Sequence, residues 1–197
     1  MGPELFPHTS SLAGARSWLP DRWDKEAAVV VVGYGATGAV AAITVAEAGG
    51  TAILLEKAPE PGGSSSTSSG GMRDVVDSKQ ASQFIKNLGL GSIDDETAWV
   101  FAETWTEMKP WLQKHGAKLS PTSSKLAAYG NMRPPDYFDI IFLASREGYA
   151  RGCGRDLFAF LESLVRELAV EVLLNSPAQR LIQNPTTKEI IGVVVES

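Results

Sequence analysis

Three glycines in the first quarter of the chain have the spacing of a phosphate-binding turn. Gly33, Gly35 and Gly38 form a Gly-x-Gly-x-x-Gly pattern. In such a turn the first glycine allows the tight bend, the second lets the backbone approach a pyrophosphate, and the third lets helix and strand pack closely. The N-terminus of the helix that follows offers unpaired N–H groups and a positive dipole end to the phosphate charges. The chemistry indicated is the binding of a dinucleotide.

Glycine is common in loops, so the pattern has weight only in the right surroundings. The run from Ala27 to Val32 is apolar and rich in valine, which predicts a strand buried on both faces, the central strand of a parallel sheet. Ala39 to Ala48 predicts a helix of small residues that ends at Gly49 and Gly50, and Thr51 to Glu56 predicts a second strand. The motif therefore lies in a βαβ unit.

Glu56 ends the second predicted strand, where dinucleotide-binding units carry an acidic residue. Its carboxylate is placed to accept hydrogen bonds from ribose hydroxyls, and its charge would repel a 2′-phosphate. NADP is therefore disfavoured, while NAD and FAD both stay possible at this point. An ordinary βαβ unit with a glycine-rich turn is the structural alternative.

The next segment, Pro59 to Gly71, contains four glycines and six hydroxyl residues. By composition alone it indicates a flexible linker. A simple NAD enzyme would normally continue from Glu56 into a helix and another strand. Here a Pro-Gly-Gly run ending at Gly62 and Gly63 leads into a serine-rich stretch that closes with Gly70 and Gly71.

In this order and spacing the sequence resembles the FAD-binding domain of the fumarate reductase and succinate dehydrogenase flavoprotein family, which includes the flavin-dependent ketosteroid dehydrogenases. The resemblance implies an α/β fold, a Rossmann-like FAD-binding domain with a parallel central sheet. It also implies the start of an α+β capping region and a chain that is incomplete relative to the family. The implied cofactor is FAD, held noncovalently because no histidine lies where the family's covalent attachment is expected.

The resemblance also implies residue roles at the adenosine end of the cofactor. The backbone around Ala36 and Thr37 would meet the pyrophosphate, and Glu56 and Lys57 would flank the adenosine ribose. Near the C-terminus, the Gly-Cys-Gly sequence before Arg155 and the segment that contains Ala178 resemble the family's return to the cofactor domain. The main chain of Ala178 would contact adenine.

At the flavin end, Ser64 and Ser65 would lie along the pyrophosphate and ribityl chain, and Ser69, Gly70 and Gly71 would approach the N5 edge of the ring. Hydroxyls and bare amides suit the polar atoms of ribityl and flavin, and glycines let the ring come close. The complete set of cofactor residues is Gly33, Gly35, Ala36, Thr37, Gly38, Glu56, Lys57, Gly62, Gly63, Ser64, Ser65, Ser69, Gly70, Gly71 and Ala178.

The same resemblance divides the chain. Residues 1–27 form a loosely ordered lead-in, residues 28–73 and 152–197 belong to the FAD-binding domain, and residues 74–151 form part of a capping region. We expect an FAD-dependent oxidoreductase, or its N-terminal portion, that transfers a hydride between flavin N5 and a carbon adjacent to a carbonyl or carboxylate. The alternatives are a truncated, non-catalytic nucleotide-binding fragment and an NAD-binding dehydrogenase.

No residue receives a catalytic role from the sequence. Four residues of the capping region could approach an anionic or carbonyl substrate, although surface arginines and a packed tyrosine are the commoner arrangement: Arg133, Arg146, Tyr149 and Arg151. The two histidines, His8 and His115, are isolated in the sequence and indicate structural or solvent-facing side chains.

Helical periodicity beyond the serine-rich stretch predicts a helix over Ser78 to Leu88 and an amphipathic helix from Arg155. A capping box at Ser92 and Asp95 predicts another helix toward Met108, followed by a separate helical turn from Pro110. Lys118 to Gly154 indicates irregular structure with one short strand, Phe138 to Leu143. Three tryptophans at helical spacing predict one packed helix face: Trp99, Trp105 and Trp111. Three strands complete the chain, the last two joined by a turn at Asn184: Val170 to Leu174, Ala178 to Ile182 and Glu189 to Glu196.

Composition bounds the remaining possibilities. The 197 residues carry a net charge of −5, with 21% charged and 44% hydrophobic residues, typical of a soluble globular protein. The negative charge disfavours nucleic acid as a partner, and no apolar run approaches the roughly 20 residues that span a bilayer. The single cysteine, Cys153, excludes an internal disulfide and a cysteine zinc cluster. We therefore predict a cytoplasmic protein whose partners are FAD and a small carboxylate or ketone substrate, with the electron-transfer partner open.

Overall fold

The structure, a computed structural model, describes residues 18–120, 138–144 and 153–196. The candidate substrate residues Arg133, Arg146, Tyr149 and Arg151, together with His8, lie outside these ranges. The elements in chain order are β1 (Val29–Val32), α1 (Ala36–Glu47), β2 (Ala52–Leu55), α2 (Gly63–Thr67), β3 (Met72–Val75), α3 (Ser78–Leu88), α4 (Asp95–Lys114), β4 (Phe138–Ile141), α5 (Gly154–Glu167), β5 (Glu171–Leu173), β6 (Ala178–Gln183) and β7 (Ile190–Val195).

The central sheet is parallel and has the strand order β1-β2-β5. This confirms the predicted α/β class. All four residues of β2 are buried, whereas β1 lies at an edge of the sheet that the described residues form and exposes 58% of Val32. The prediction that β1 is the central strand, buried on both faces, is therefore wrong. An apolar run predicts a strand, but it carries no information on how many neighbours that strand has.

Helices α1 and α5 pack together with this sheet. Their apolar side chains and those of the strands form what we call the first cluster, whose buried members include Ala42, Ile43, Leu54 and Leu161. The apolar face predicted for α5 is confirmed, because Phe158 and Val165 are buried in the same cluster. This cluster fixes how α1 leaves the glycine turn.

A second cluster lies in the region predicted as the start of a capping domain. Its buried residues are Val75, Ala81, Ile85, Ala98 and Ala102, from β3, α3 and α4. Strands β3 and β4 pair antiparallel. The mixture of helices and an antiparallel pair matches the α+β character expected there, and the proposed domain boundaries stay predictions.

Helix α4 differs from its prediction at both ends. It begins after Asp94, whose carboxylate accepts a 2.7 Å hydrogen bond from the Thr97 amide, while the hydroxyl of Ser92 donates to the Gly89 carbonyl instead. It also continues through Pro110 to Lys114 as one helix. Packing of the residues after the proline outweighs the hydrogen bond that proline removes.

The three tryptophans of α4 do not share one face. Trp99 is 44% exposed, Trp105 packs against the second cluster and Trp111 against the first. A spacing of six residues turns a helix by about 240° beyond one full turn, so equal spacing here distributes the rings around the helix.

Strands β6 and β7 form the predicted antiparallel hairpin. Its turn is held by the Asn184 side chain, which accepts hydrogen bonds from the amides of Thr186 and Thr187. The described end of the predicted lead-in is tied to the fold, because the Trp23 ring lies against Gly192 of β7. Within the described ranges, no helix is long and apolar enough to cross a membrane.

The close packing of Gly38 on the backbone of Gly33 generates a stability prediction. A Cβ on Gly38 would overlap the carbonyl oxygen of Gly33, so Gly38→Ala must push α1 away from β1. We expect a loss of about 1–3 kcal/mol in the free energy of unfolding, measured by urea titration. Ala41→Ser, on the exposed face of the same helix, is the control and should change it by less than about 0.5 kcal/mol. Equal losses in the two variants would contradict the close contact.

Candidate functional site

The glycine turn has the backbone geometry that its sequence predicts. Gly33 has a φ of 100°, which favours glycine, and its amide donates a 2.7 Å hydrogen bond to the Leu55 carbonyl of β2. Gly35 is the N-cap of α1. A side chain at Gly35 would point toward the serine-rich segment, since a Cβ there would lie 3.3 Å from the Ser65 hydroxyl oxygen.

The N-terminus of α1 presents hydrogen-bond donors at this turn. The Ala36 amide donates to the Ser65 hydroxyl oxygen at 3.0 Å. Within the described part of the chain, the amides of Thr37 and Gly38 have no hydrogen-bond acceptor. The first amides of a helix lack partners inside the helix. Here the Ala36 amide already donates a hydrogen bond to an oxygen atom.

The Glu56 carboxylate accepts hydrogen bonds from two backbone amides, one in the glycine turn and one just after β2. Its Oε2 accepts a 2.8 Å hydrogen bond from the Tyr34 amide, and its Oε1 accepts a 2.9 Å hydrogen bond from the Ala58 amide. The side chain predicted to bind ribose therefore also joins the end of β2 to the glycine turn. Each carboxylate oxygen has a second lone pair, so ribose hydroxyls could still bind to Glu56.

Opposing effects act on the Glu56 carboxyl group. Burial raises its pKa, but hydrogen bonds from the backbone amides of Ala58, Tyr34 and Lys57, with the nearby Lys57 charge, bring the pKa below its ordinary value. The carboxylate is therefore ionised at neutral pH and can act only as a hydrogen-bond acceptor.

Tyr34 is the residue of the site that the sequence analysis missed. Its amide donates a hydrogen bond to Glu56, and its carbonyl accepts a 2.7 Å hydrogen bond from the Gly62 amide. Its buried ring meets Phe158 of α5 edge to face, with centroids 5.3 Å apart, and burial, with the Glu162 charge, raises its pKa to about 12. The available signal was an aromatic residue between the first two glycines of the turn.

The serine-rich segment is not a linker. Residues Gly63–Thr67 form the short helix α2, and hydroxyl groups of the segment donate to carbonyls three residues earlier, as Ser66 does to Gly63 and Ser68 does to Ser65. Composition predicted flexibility because serine competes for backbone hydrogen bonds. Here those bonds order the segment.

Two glycines let this segment pack backbone to backbone on the start of α5. Gly70 has a φ of 73°, and a Cβ there would lie 2.6 Å from the Cys153 carbonyl oxygen. The Gly154 amide donates a 3.0 Å hydrogen bond to the Ser68 carbonyl. Exposed Cys153 itself caps α5, and its amide donates to the Asp156 carboxylate at 2.8 Å.

The structure brings most of the predicted site residues together. The glycine turn with Ala36 meets Glu56 on one side and Gly62 and Ser65 on the other. Five further predicted residues are exposed and lie within a few residues of these in the sequence: Lys57, Gly63, Ser64, Ser69 and Gly71.

Ala178 begins β6, two residues after Ser176. The Ser176 amide donates a 2.8 Å hydrogen bond to the Glu56 carbonyl, and the Asn175 amide donates to the Ala58 carbonyl. These bonds carry the chain from β5 past Glu56, so Ala178 begins its strand near this residue.

These groups fit the adenosine diphosphate half of a dinucleotide. Amides at the start of α1 that have no acceptor among the described residues suit phosphate oxygens. The neighbouring Ala36 amide already donates to the Ser65 hydroxyl oxygen, and the ionised Glu56 suits hydroxyl donors. Within the described residues, no cluster of side chains could hold a metal ion.

Comparison with known proteins gives the family to which the chain is similar. A family model described as FAD binding domain matches residues 28–197. Among curated proteins, a probable fumarate reductase, Ifc3 of Shewanella frigidimarina, is 26% identical over 91% of this chain and 32% of its own length. The 3-oxo-5-alpha-steroid 4-dehydrogenase of Comamonas testosteroni is 26% identical over 88% of this chain and 38% of its own. The chain thus spans about a third of the length of these relatives.

Solved structures share the fold. A 3-ketosteroid-Δ4-(5α)-dehydrogenase from Rhodococcus jostii aligns with a TM-score of 0.73 and 22% identity over 89% of this chain and 43% of that chain. The open conformation of a flavocytochrome c3 fumarate reductase aligns with a TM-score of 0.67 and 24% identity over 84% of this chain and 29% of that chain. At these identities the alignments establish the fold.

The Glu56 contacts predict a pH-dependent effect of Glu56→Gln on stability. Because the pKa of Glu56 is depressed in the folded chain, the ionised group contributes stability above its ordinary pKa, and this is lost as pH falls through the folded pKa. At about pH 7 we expect Glu56→Gln to lower the free energy of unfolding by about 1–3 kcal/mol.

The measurement is urea unfolding of wild type and variant at about pH 7 and about pH 3.5, where the difference should shrink. Glu60→Gln, at an exposed neighbouring position, is the control and should show little difference at either pH. A Glu56→Gln effect of constant size would contradict the electrostatic account.

Proposed function

Because the chain belongs to the FAD binding domain family, we propose that it forms the cofactor-binding part of an oxidoreductase that transfers a hydride between flavin N5 and a carbon next to a carbonyl or carboxylate. The observation that supports this most is the start of α1, where the amides of Thr37 and Gly38 have no hydrogen-bond acceptor among the described residues. They follow the Ala36 amide, which donates to the Ser65 hydroxyl, and the glycine turn, which is bonded to Glu56.

At the adenosine end, the amides of Ala36, Thr37 and Gly38 would bind the pyrophosphate. The hydrogen bond from the Ala36 amide to the Ser65 hydroxyl oxygen supports this, because an amide at the start of α1 already donates to an oxygen atom. Glu56 would accept hydrogen bonds from ribose hydroxyls through its remaining lone pairs. Lys57 would flank the same ribose.

The main chain of Ala178 would contact adenine. The hydrogen bond from the Ser176 amide to the Glu56 carbonyl supports this role, because it brings the start of β6 to the ribose side of the site.

At the flavin end, the hydroxyls of Ser64 and Ser65 would follow the ribityl chain, and Ser69, Gly70 and Gly71 would lie at the ring. Gly70 supports this assignment because its backbone is fixed against Cys153, so the peptide groups after it are held in place rather than left free. A preorganised loop loses little entropy when it binds a ligand.

The serine-rich segment favours FAD over NAD. The Gly62 amide donates a hydrogen bond to the Tyr34 carbonyl of the glycine turn, and the Ser68 carbonyl accepts one from the Gly154 amide of α5. Ordered polar groups therefore continue along the chain beyond the proposed pyrophosphate site. A long cofactor that extends past the pyrophosphate along this segment would use these groups.

The bound flavin supplies the redox chemistry, and this chain supplies binding, orientation and electrostatics. Relatives named as a fumarate reductase and as steroid dehydrogenases suggest a substrate of the carboxylate or ketone class. We propose that FAD is held noncovalently. The activity and the substrate class of the whole protein belong to the same proposal, and the electron-transfer partner stays open.

FAD binding to the 197-residue chain tests this function. Gly35→Ala places a methyl group at the N-cap of α1, where φ is −95° and no backbone strain arises, but where the phosphates would approach. We expect flavin fluorescence titration to show binding by wild type and at least about tenfold weaker binding by Gly35→Ala.

Thr44→Ala, on the exposed face of the same helix, is the matched control and should bind as wild type does. No FAD binding by wild type, or equal binding by Gly35→Ala, would overturn the assignment. Titration with NAD in place of FAD should show no comparable binding, and tight NAD binding alone would favour the dehydrogenase alternative.

A further inference from the structure

One face of helix α5 lies against both segments that would hold the cofactor. Gly154 and Phe158 are four residues apart in this helix, so they are neighbours on the same face. Both residues are buried. Neither has a part in the cofactor contacts proposed above, although Gly154 ends the Gly-Cys-Gly run that stands out in the sequence.

Gly154 lets the serine-rich segment lie directly on α5. A Cβ at this position would lie 2.2 Å from the Ser65 carbonyl oxygen and 2.7 Å from the Ser68 carbonyl oxygen. The φ of Gly154 is not positive, so the backbone conformation does not require glycine here. The close approach requires it, and the Gly154 amide donates a 3.0 Å hydrogen bond to the Ser68 carbonyl across this contact.

The serine-rich segment connects this contact to both ends of the proposed site. The main chain of Ser65 lies against Gly154, while its hydroxyl oxygen accepts a hydrogen bond from the Ala36 amide at the start of α1. The Ser68 hydroxyl donates to the Ser65 carbonyl and accepts from the Gly70 amide. A shift of these carbonyls away from α5 would therefore displace groups at the pyrophosphate end and at the flavin end.

Phe158 supports the glycine turn one helical turn further along α5. Its ring meets the Tyr34 ring edge to face, and its Cδ1 atom would lie 3.2 Å from a Cβ on Gly62. The main chains of Tyr34 and Gly62 are themselves joined by a hydrogen bond. Since Phe158 is only 5% exposed, its ring lies inside the protein against both residues that this bond joins.

We infer that Gly154 and Phe158 are positioning residues for the cofactor. They act through Ser65, Ser68 and Tyr34 rather than by contact with FAD. By holding the serine-rich segment and the glycine turn in place before a ligand arrives, they reduce the ordering that binding requires. The contacts belong to the free chain, whereas their effect on FAD rests on the proposed function.

The two residues should act on different parts of the cofactor. Gly154 contacts the segment that leads to the flavin end, whereas Phe158 contacts the turn where the pyrophosphate would bind. ADP has the pyrophosphate and no flavin. A displaced serine-rich segment should therefore weaken FAD binding more than ADP binding, whereas a loosened glycine turn should weaken both.

Binding of FAD and of ADP to the 197-residue chain tests this inference, by flavin fluorescence and by calorimetry. In Gly154→Ala the added methyl group must displace Ser65, so we expect FAD to bind at least about tenfold more weakly and ADP less than about threefold more weakly. Phe158→Leu keeps an apolar side chain but loses the edge-to-face contact. Both ligands should bind about fivefold more weakly to it.

Ser68→Ala tests the path from Gly154 without a steric clash, in case Gly154→Ala does not fold. It removes only the hydroxyl that joins Ser65 to Gly70. We expect FAD to bind about threefold more weakly to this variant and ADP to bind as it does to wild type.

Leu161→Val, three residues beyond Phe158 in the same helix, is the matched control. Leu161 is buried in the first cluster, so this variant should lower the urea midpoint of unfolding but bind FAD as wild type does. Equal losses of FAD and ADP binding in Gly154→Ala, or wild-type binding of FAD by Ser68→Ala, overturn the role of Gly154. Wild-type binding by Phe158→Leu, or an equal loss in Leu161→Val, overturns the role of Phe158.

Amide chemical shifts of the free, ¹⁵N-labelled chain separate this inference from the proposed function. Without ligand, Gly154→Ala should move the Ala36 signal, and Phe158→Leu should move the Gly62 signal. Leu161→Val should leave both signals in place. Unmoved signals in the first two variants overturn the inference even if wild type binds FAD. Moved signals in a chain whose wild type binds no FAD leave the contacts standing and overturn the proposed function.

Discussion

The site depends on one residue, Tyr34, through both its main chain and its ring. Its amide donates to Glu56, its carbonyl accepts from Gly62, and its buried ring packs against Phe158. Three stretches that are separate in sequence, the glycine turn, the end of β2 and the serine-rich segment, are thereby held against one another and against α5. Without these contacts each stretch would be an independent loop. A ligand would then have to order all three loops on binding, and this entropic cost would lower its affinity.

Charge is arranged along the same frame. The start of α1 carries the positive end of the helix dipole, with the amides of Thr37 and Gly38 open in the described part of the chain. The pKa of Glu56 is held below its ordinary value mainly by backbone amides that outweigh its burial, so a negative charge stands beside the positive helix end. Phosphate oxygens and ribose hydroxyls are the groups that such a pair of environments suits.

The sequence was sufficient where the determining contacts are local. The predicted βαβ unit, the tight bend at Gly33 and the helix over Ser78–Leu88 follow from short-range patterns. The role of Tyr34 could not be predicted, because its partners Gly62 and Phe158 are distant in sequence. For the same reason composition mistook the serine-rich segment for a linker, and valine content placed β1 in the middle of the sheet. In α4, packing of Trp111 on the first cluster outweighed the helix-breaking tendency of Pro110.

Amide chemical shifts during FAD titration of the ¹⁵N-labelled chain test the central claim most directly. If the start of α1 binds the pyrophosphate, the largest shifts should fall on Ala36, Thr37 and Gly38, and Tyr34 should shift with them through its bonds to Glu56 and Gly62. ADP, which has the pyrophosphate and no flavin, should shift the same amides and leave Gly70 and Gly71 unchanged. Unchanged amide chemical shifts of Thr37 and Gly38 at saturating FAD would contradict the account.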